Sequence, residues 1–591
     1  MPFQVSPGVN ISEIDLTTVV PNVSTSIGAF AGQFQWGPVL ERVRITTENE
    51  LVQTFGEPTT DTFESFWSAA NYLAYSNNLL VVRNVGSGAL NGVVGDNNAD
   101  TNGNQAGTPL KIDNGDDYED KLGALTDQLF IAKYPGIRGN SLKVIAVDSA
   151  GWASFSGLAV SARTPDQTSL FNNFNSAPGT STDVAASGGS NDEMHVLVID
   201  ENGLFSGLEG EILEAHAFVS KARDAKKTDG SSNYILNVLR NESRYVWLGA
   251  VGQITASTTD SGSESPAGSP KTSTFQLINP TANADKIIGG SLSGSAEGAN
   301  ITPGEQEAGF NQFIDAETVD ITLLITGSTN SATAQHCVFD IAEQRKDCVA
   351  FVSPTKAAVV TASGDIATAV RDEKTAIGSS SYGVMDNAWK YQYDRYRDIF
   401  VYVPMNGDIA GLCARTDFTN DAWFSPAGLT RGVIKNIVKP SWDTTQADRD
   451  VLYKGGVNPI TTQLGAGNLL YGDKTMFAIP SAFDRINVRR LFIILEKAIA
   501  IAAKAMLFEF NDEFTRSQFV NIVTPFLREV QGRRGLTDFK VVCDSSNNTG
   551  QVIDTNNFVG DIYIKPNRSI NFIQLNFIAA RSDVSFSEIG G

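Results

Sequence analysis

From Thr318 the chain sets a short apolar run, a polar turn, an amphipathic segment and a second apolar run in order: "DITLLI", "TGSTNS", "ATAQHCVFDIAEQR", "CVAFVSP". Apolar runs rich in β-branched residues and bounded by Gly, Ser and Asn read as strands, and the amphipathic segment between them reads as a helix. This order defines an α/β domain. A second strand and helix, "DIFVYVP" and "GDIAGLCART", repeat the pattern.

Upstream, structured sequence starts at "TSIGAFAGQFQWGPV", passes through "ITTENELVQTFGEP" and a helix, "TFESFWSAANYLAYS", and reaches the strand "NLLVVRNV". A Gly/Asn/Asp-rich insertion follows between Gly86 and Asp120. The framework resumes as two strands around a Gly-rich turn in "DQLFIAKYPGIRGNSLKVIAVD". Beyond a polar patch near 162–192, "MHVLVIDENGLFSGLEGEILEAHAFVSKARDAKK" reads as a strand and turn leading into an amphipathic helix. The stretch 255–273 is an exposed loop by composition. Such interruptions suggest domains hung on the outside of a central body.

Toward the C-terminus a helix over 487–509 is apolar almost all round, with Val488, Leu491, Phe492, Leu495, Ile499, Ala502 and Met506 on one stripe and Ile493, Ile494 and Ile501 off it, so it is expected to be covered on several sides. A helix at 512–530 and strands near 539–543, 558–564 and 570–580 follow. The first twenty residues form an extended arm, because Pro2, Pro7 and Pro21 forbid helix.

At 591 residues the chain exceeds a single core, and roughly three or four domains are expected. With 41% apolar and 19% charged residues it has ample core material. Its 45 Lys+Arg against 66 Asp+Glu give a net charge of −21, which opposes direct binding to nucleic acid or to an anionic membrane. Cys337, Cys348, Cys413 and Cys543 lack CxxC spacing and are read as reduced, mostly buried thiols made in a cytoplasm. "MPFQVSPGVNISEIDL" lacks the n- and h-regions of a secretory signal. "LFIILEKAIAIAAKAMLF" is interrupted by Glu496, Lys497 and Lys504, which argues against a membrane span.

The search for chemistry returns little. His195, His216 and His336 form no HxxxH pair, and neither a GxSxG elbow nor a Gly-Lys dipeptide occurs. "LLITGSTNSAT" is the best anion-site candidate, with an ordinary βα turn capped by Ser328, Asn330 or Ser331 as the simpler reading. "GLFSGLEG" (203–210) is read as a turn, and Asp512-Glu513 as helix N-terminal charges. No catalytic residue, metal ligand or cofactor site is assigned. From Arg485 to Arg534, nine Arg/Lys stand against five acids. On composition that stretch is either a solvated helix face or a docking surface for an acidic protein.

"INVRRLF", "NDEFTRSQF", "VVCDSSNNTGQVID" and "IKPNRSINFIQLNFIAA", in that order, resemble the C-terminal part of tail sheath proteins from contractile-tailed bacteriophages of the T-even type. Upstream, "SPGVNISEID", "QWGP", "FGEP", "AKYPGIRGNSLKV", "WFSPAGLTRGVI", "GGVNPI" and "GDKT" resemble the same family. The resemblance departs at 86–120 and 255–300. It implies an α/β (α+β) multidomain fold, with a conserved α/β core built from N- and C-terminal parts, β-rich outer insertion domains and extended terminal arms. The boundaries expected are an N-terminal linker arm at 1–23, a middle/outer domain at 24–90 and 121–317, and a Gly/Asn/Asp-rich outer insertion at 91–120. An α/β sheath core at 318–510, an inner C-terminal domain at 511–581 and a C-terminal linker arm at 582–591 complete the set.

The resemblance further implies a structural, non-enzymatic subunit of the virion tail, assembled in the host cytoplasm as stacked six-fold rings around a tail tube, with baseplate and tail terminator proteins as further partners. Such sheaths rearrange from a metastable extended state to drive the tube through the host envelope. No cofactor is implied. Terminal arms add strands to neighbouring subunits in this family. That role falls by position on Val9, Ile11, Ile14 and Leu16 and on Val584, Phe586 and Ile589, with Phe572, Ile573, Leu575 and Phe577 in the accepting sheet. An inward helix docks on the tube, which favours Arg528, Arg533 and Arg534 as tube-facing. The alternatives are the sheath of a bacterial contractile injection system and, in another class, a hydrolase with an unrecognised site.

Overall fold

The structure is a computed structural model that describes residues 26–95, 107–249, 268–277, 287–298 and 301–571. The arm residues Val9 to Leu16 and Val584 to Ile589, the acceptor residues Phe572 to Phe577, and most of the 255–273 loop lie outside them. The described residues divide into two compact units: Ser26–Arg415 with Ala427–Ala478, and Thr416–Pro426 with Ile479 onward.

The larger unit is organised by a seven-stranded sheet in the order Val457–Asn458, Gly383–Asp386, Val349–Val352, Leu323–Ile325, Gly28–Gln33, Leu79–Asn84, Arg42–Ile45. All neighbours run parallel except the antiparallel edge strand Arg42–Ile45. A parallel sheet is covered on both faces, which explains why "GAFA", "LLI" and "VAFV" are unbroken apolar runs. One face carries the helix Phe63–Leu73, whose Phe66, Trp67 and Tyr72 are buried. A Cβ on Gly28 would stand 2.6 Å from the Tyr72 ring, so this close crossing of helix and strand requires glycine. The other side of the core gathers Phe310, Phe313, Cys337, Val338, Ile341 and Val370. Between the strands Gly383–Asp386 and Val457–Asn458 the Trp389–Asp394/Ile399–Pro404 hairpin intervenes, with Lys439–Pro440 as its third strand.

Two expected boundaries change. Residues 24–90 are expected in the middle domain, yet Gly28–Gln33 pairs with Leu323–Ile325 and Leu79–Asn84, so these strands are central to the α/β sheet. Pairing across some three hundred residues is invisible to local periodicity. The helix Ile486–Lys504 falls in the second unit with Ile479 onward, whereas 318–510 was expected to be one domain.

Between Leu79–Asn84 and Leu323–Ile325 the chain builds an antiparallel sheet of order Ile288–Ser291, Leu142–Asp148, Glu193–Asp200, Glu211–Ser220. A second sheet is formed by Val246–Leu248, Gln128–Ala132 and Val93–Gly95. The described residues of 91–120, expected as a Gly/Asn/Asp-rich outer insertion, supply core side chains. Val93, Ile112 and Tyr118 are buried with Ile131 and Trp247, and Tyr118 stacks on Trp247 with ring centres 4.4 Å apart.

The expected helix over "GEILEAHAFVSKARDAKK" is instead the strand Glu211–Ser220. Its helix propensity is overridden because Glu193–Asp200 needs a partner on that edge. The turn before it sets the register: Asp200 accepts from the Phe205 and Ser206 N–H groups at 2.8 and 2.7 Å, and Gly203, Gly207 and Gly210 take left-handed φ.

His195, on Glu193–Asp200, is fully buried against Phe174, Trp152 and Phe218. Its Nε2 lies 2.9 Å from the Ser176 carbonyl, and its Nδ1 accepts from the Phe218 N–H at 3.1 Å. That pattern fits the neutral ring, and burial pushes its pKa down. Because the folded pKa is depressed, His195 contributes stability above about pH 6.5, which is lost as pH falls below it. Melting temperatures measured from pH 8 to pH 5 should fall more steeply for the wild type than for His195→Asn. Equal slopes would remove His195 as the titrating group.

In the second unit, helices Ile486–Lys504 and Glu513–Gly532 pack Leu491, Leu495, Phe519, Val523, Leu527 and Val530 against the hairpin Leu536–Val542/Asp561–Pro566. Coverage on several sides holds for the first helix only as far as Ala498. It ends at Lys504; Ile501 in its last turn and Leu507 beyond it are exposed. No third strand pairs with the hairpin among the described residues.

Candidate assembly interface

Parallel α/β sheets offer a ligand crevice at the carboxyl ends of their strands. Here the chain's own groups fill it. Ser353 Oγ, after Val349–Val352, accepts from the Met405 and Asn406 N–H groups at 3.1 and 2.9 Å and donates to Asp386 at 2.6 Å. Asn406 Nδ2 donates to the Gly327 carbonyl at 2.8 Å. The start of helix Asn406–Thr419, where an anion would bind, is thus engaged by the strand ends. Burial pushes the Asp386 carboxyl up to about 8, against the lowering effect of its bonds from Ser353 and Ala388. Beside it Lys390 and Asp408 form a fully buried ion pair at 2.9 Å.

The other chemical candidates resolve into structural roles. Asn330 caps its helix by accepting from the Thr333 N–H at 2.8 Å. Asp512 caps the last long helix by accepting from the Thr515 N–H at 2.8 Å. His336 lies within 2.8 Å of Asp340 and 2.7 Å of Asn311, and His216 lies 3.2 Å from Glu214. All four cysteines are buried and form no disulfide. Among the described residues no group of three or more His, Cys, Asp or Glu is placed to hold a metal, and no helix is long and apolar enough to cross a membrane.

The basic stretch separates into internal and external members. Arg489 and Arg490 are buried; Arg490 reaches Asp417 at 2.7 Å, and the Arg489 guanidinium lies 4.0 Å from the Phe483 ring centre. Arg516 donates to Asn511. Four of the nine cations, with Arg485 beside Asp484, therefore hold the unit together, which composition could not reveal. Arg528, Arg533 and Arg534 remain exposed at the end of helix Glu513–Gly532. Arg533 is shared with Asp421 at 3.2 Å and Glu529 at 3.7 Å. Arg534 takes φ +67 where the helix stops, and its carbonyl accepts from Asn567.

The hairpin beside these helices has a half-buried face of Phe539, Val541, Ile562 and Ile564 packed against their core. Two strands alone are marginal, and unpaired ladder edges are templates for another strand.

A unit of two helices on a short hairpin with no third strand among the described residues, joined in one chain to a parallel-sheet unit whose ligand crevice is self-filled, has the character of an assembly subunit. The family comparisons identify which. A model of the phage tail sheath protein central domain matches residues 300–476, and one of the phage tail sheath C-terminal domain matches 479–580, the latter starting where the second unit resumes. The tail sheath protein of Enterobacteria phage T4 is 33% identical, covering 99% of each chain. That of Vibrio phage KVP40 is 32% identical, again over 99% of both, and that of Salmonella phage ViI is 32% identical over 99% of this chain and 98% of its own. The chain belongs to the phage tail sheath family.

Proposed function

We propose that this chain polymerises as stacked six-fold rings around a tail tube in a metastable extended state, and contracts by rigid-body reorientation of subunits. The near full-length kinship with three phage tail sheath proteins carries this reading, and it favours a phage tail over a bacterial injection particle. The subunit contributes no chemical step of its own and takes no cofactor. Its partners are further copies, the tube protein, and the baseplate and terminator proteins at the sheath ends. It resides in the virion tail after assembly in the host cytoplasm.

Arms at Val9–Leu16 and Val584–Ile589 add strands to neighbours, with Phe572, Ile573, Leu575 and Phe577 in the accepting sheet. The Leu536–Val542/Asp561–Pro566 hairpin, which has no third strand among the described residues, supports it. Each added backbone hydrogen bond is worth about 1 kcal/mol net, and such joints persist while domains reorient. Arg528, Arg533 and Arg534 face the tube, Arg528 being free of any ion pair among the described residues.

Electron microscopy of the purified protein tests the whole reading. Wild-type chain should form tubes or polysheath, while deletion of 1–16 or 582–591 should leave a folded, soluble subunit that does not polymerise. Arg528→Glu with Arg534→Glu should polymerise normally yet fail to co-sediment with tube. Normal tubes from both truncations would refute the arms, and unchanged tube binding would return the arginines to solvent.

A further inference from the structure

The connection between helices Ile486–Lys504 and Glu513–Gly532 exposes Leu507, Phe508, Phe510 and Phe514 at 64%, 104%, 84% and 69%. Large apolar side chains concentrated this way mark an interaction site. The connection is also held in shape. Asn511 Nδ2 donates to the Asn557 carbonyl at 2.8 Å, Arg516 donates to Asn511 Oδ1 at 2.8 Å, and Asp512 caps the next helix. Phe508 takes φ +72, a left-handed conformation that costs an aromatic residue energy. Glu509, Asp512 and Glu513, all exposed, rim the patch, with Lys504 at the end of the preceding helix offsetting one of them.

The same unit carries a second exposed surface, on which Lys540, Lys565 and the nearby Arg568 outnumber Asp538 and Asp561. With Phe539, Val541, Ile562 and Ile564 turned inward, the alternation of the hairpin turns Lys540, Tyr563 and Lys565 outward. Lys540 stands directly across from Tyr563 in the register. Lys565 approaches Asp538 at 3.4 Å with both side chains largely exposed, a contact too weak to occupy the cation. Arg568 follows, also exposed.

We propose that the 507–514 connection docks on the outward face of the Leu536–Val542/Asp561–Pro566 hairpin of a second copy of this chain, an inference that rests on the polymerising role above. With a net charge of −21, copies repel one another, so close approach must join locally unlike charges. Glu509 and Glu513 meet Lys540 and Lys565, while Phe508 and Phe510 cover Tyr563 and the lysine stems, where an ammonium over an aromatic face adds attraction. The two surfaces differ, so the contact is heterologous and propagates from copy to copy as a ring or helix.

The test measures the critical concentration for polymerisation of the full chain by sedimentation and electron microscopy. Phe508→Ser with Phe510→Ser, both at exposed positions, should keep the wild-type melting temperature and raise that concentration about tenfold or more. Glu509→Lys with Glu513→Lys should do the same, as should Lys540→Glu with Lys565→Glu, and the four-fold charge swap should polymerise again near the wild-type concentration. Phe variants that polymerise as the wild type does, or a swap that does not recover, would overturn the docking while leaving the polymerising role intact. A wild-type chain that forms no polymer would overturn both.

Discussion

Arg83→Ala is expected to cost about 4 kcal/mol or more of folding stability, at the extreme end for a single substitution. Arg83 is fully buried on the strand Leu79–Asn84. Its guanidinium donates to the carbonyls of Phe34 at 2.9 Å, Gly37 at 2.9 Å, Gln35 at 3.2 Å and Pro135 at 2.7 Å. The first three carbonyls lie just beyond Gly28–Gln33, and the fourth lies in the turn between Gln128–Ala132 and Leu142–Asp148. One side chain thus ties the central sheet to the domain inserted after it. Burial pulls its pKa down to about 10, so at neutral pH it stays charged, and the carbonyl dipoles offset the cost of removing that charge from water. Alanine would leave a cavity and four buried acceptors without donors. Arg83→Lys keeps the charge but has neither the planar fork nor enough donors, and should recover no more than half of the loss. Urea unfolding of the three proteins gives these differences directly; a loss below about 1 kcal/mol for Arg83→Ala would show that water satisfies the carbonyls.

Arg83 also shows where sequence reading stops. "NLLVVRNV" announces a strand through its apolar run, and a charged residue near the end of such a run reads as a solvent-facing edge. Only the folded chain brings four carbonyls around it. The α/β pattern after Thr318 is legible where Leu323–Ile325 and Val349–Val352 are buried throughout and Asn330 caps the helix between them, whereas Ile399–Pro404, read as repeating it, joins an antiparallel hairpin instead. The strand Glu211–Ser220 was misread because its conformation is dictated by the vacant edge of Glu193–Asp200 rather than by its own spacing. The same holds for the domain boundaries: Gly28–Gln33 is central because of partners far along the chain. For the proposed assembly surfaces, the excess of Arg between 485 and 534 was visible. The internal use of Arg489, Arg490 and Arg516 was not, since helix spacing cannot say which neighbours an arginine meets.

Lys390→Met is expected to destabilise the larger unit by about 3–5 kcal/mol near pH 8. Lys390 lies on the strand Trp389–Asp394 with its side chain sealed from water, and its Nζ stands 3.0 Å from Asp408 Oδ1 and 3.2 Å from the Lys435 carbonyl. Asp408 is equally buried, in the first turn of helix Asn406–Thr419, and its remaining hydrogen bond comes from the Tyr75 hydroxyl at 3.1 Å. Burial raises the Asp408 pKa, and Lys390 is the largest influence opposing that rise. With the ammonium gone, the carboxyl must either stay charged without a counter-ion or take up a proton. A carboxyl whose folded pKa is raised stabilises the fold below its unfolded pKa of about 4, and that contribution is lost as pH rises through the folded value. The variant should therefore be closest to wild type in mild acid and weakest above neutrality. Pairing Lys390→Met with Asp408→Leu removes both charges, and most of the lost stability should return with its pH dependence flattened, because a desolvated ion pair and a well-packed apolar pair are often close in energy. If the double variant is as unstable as the single one at every pH, the loss comes from packing around the strand, and the unpaired carboxylate is not its cause.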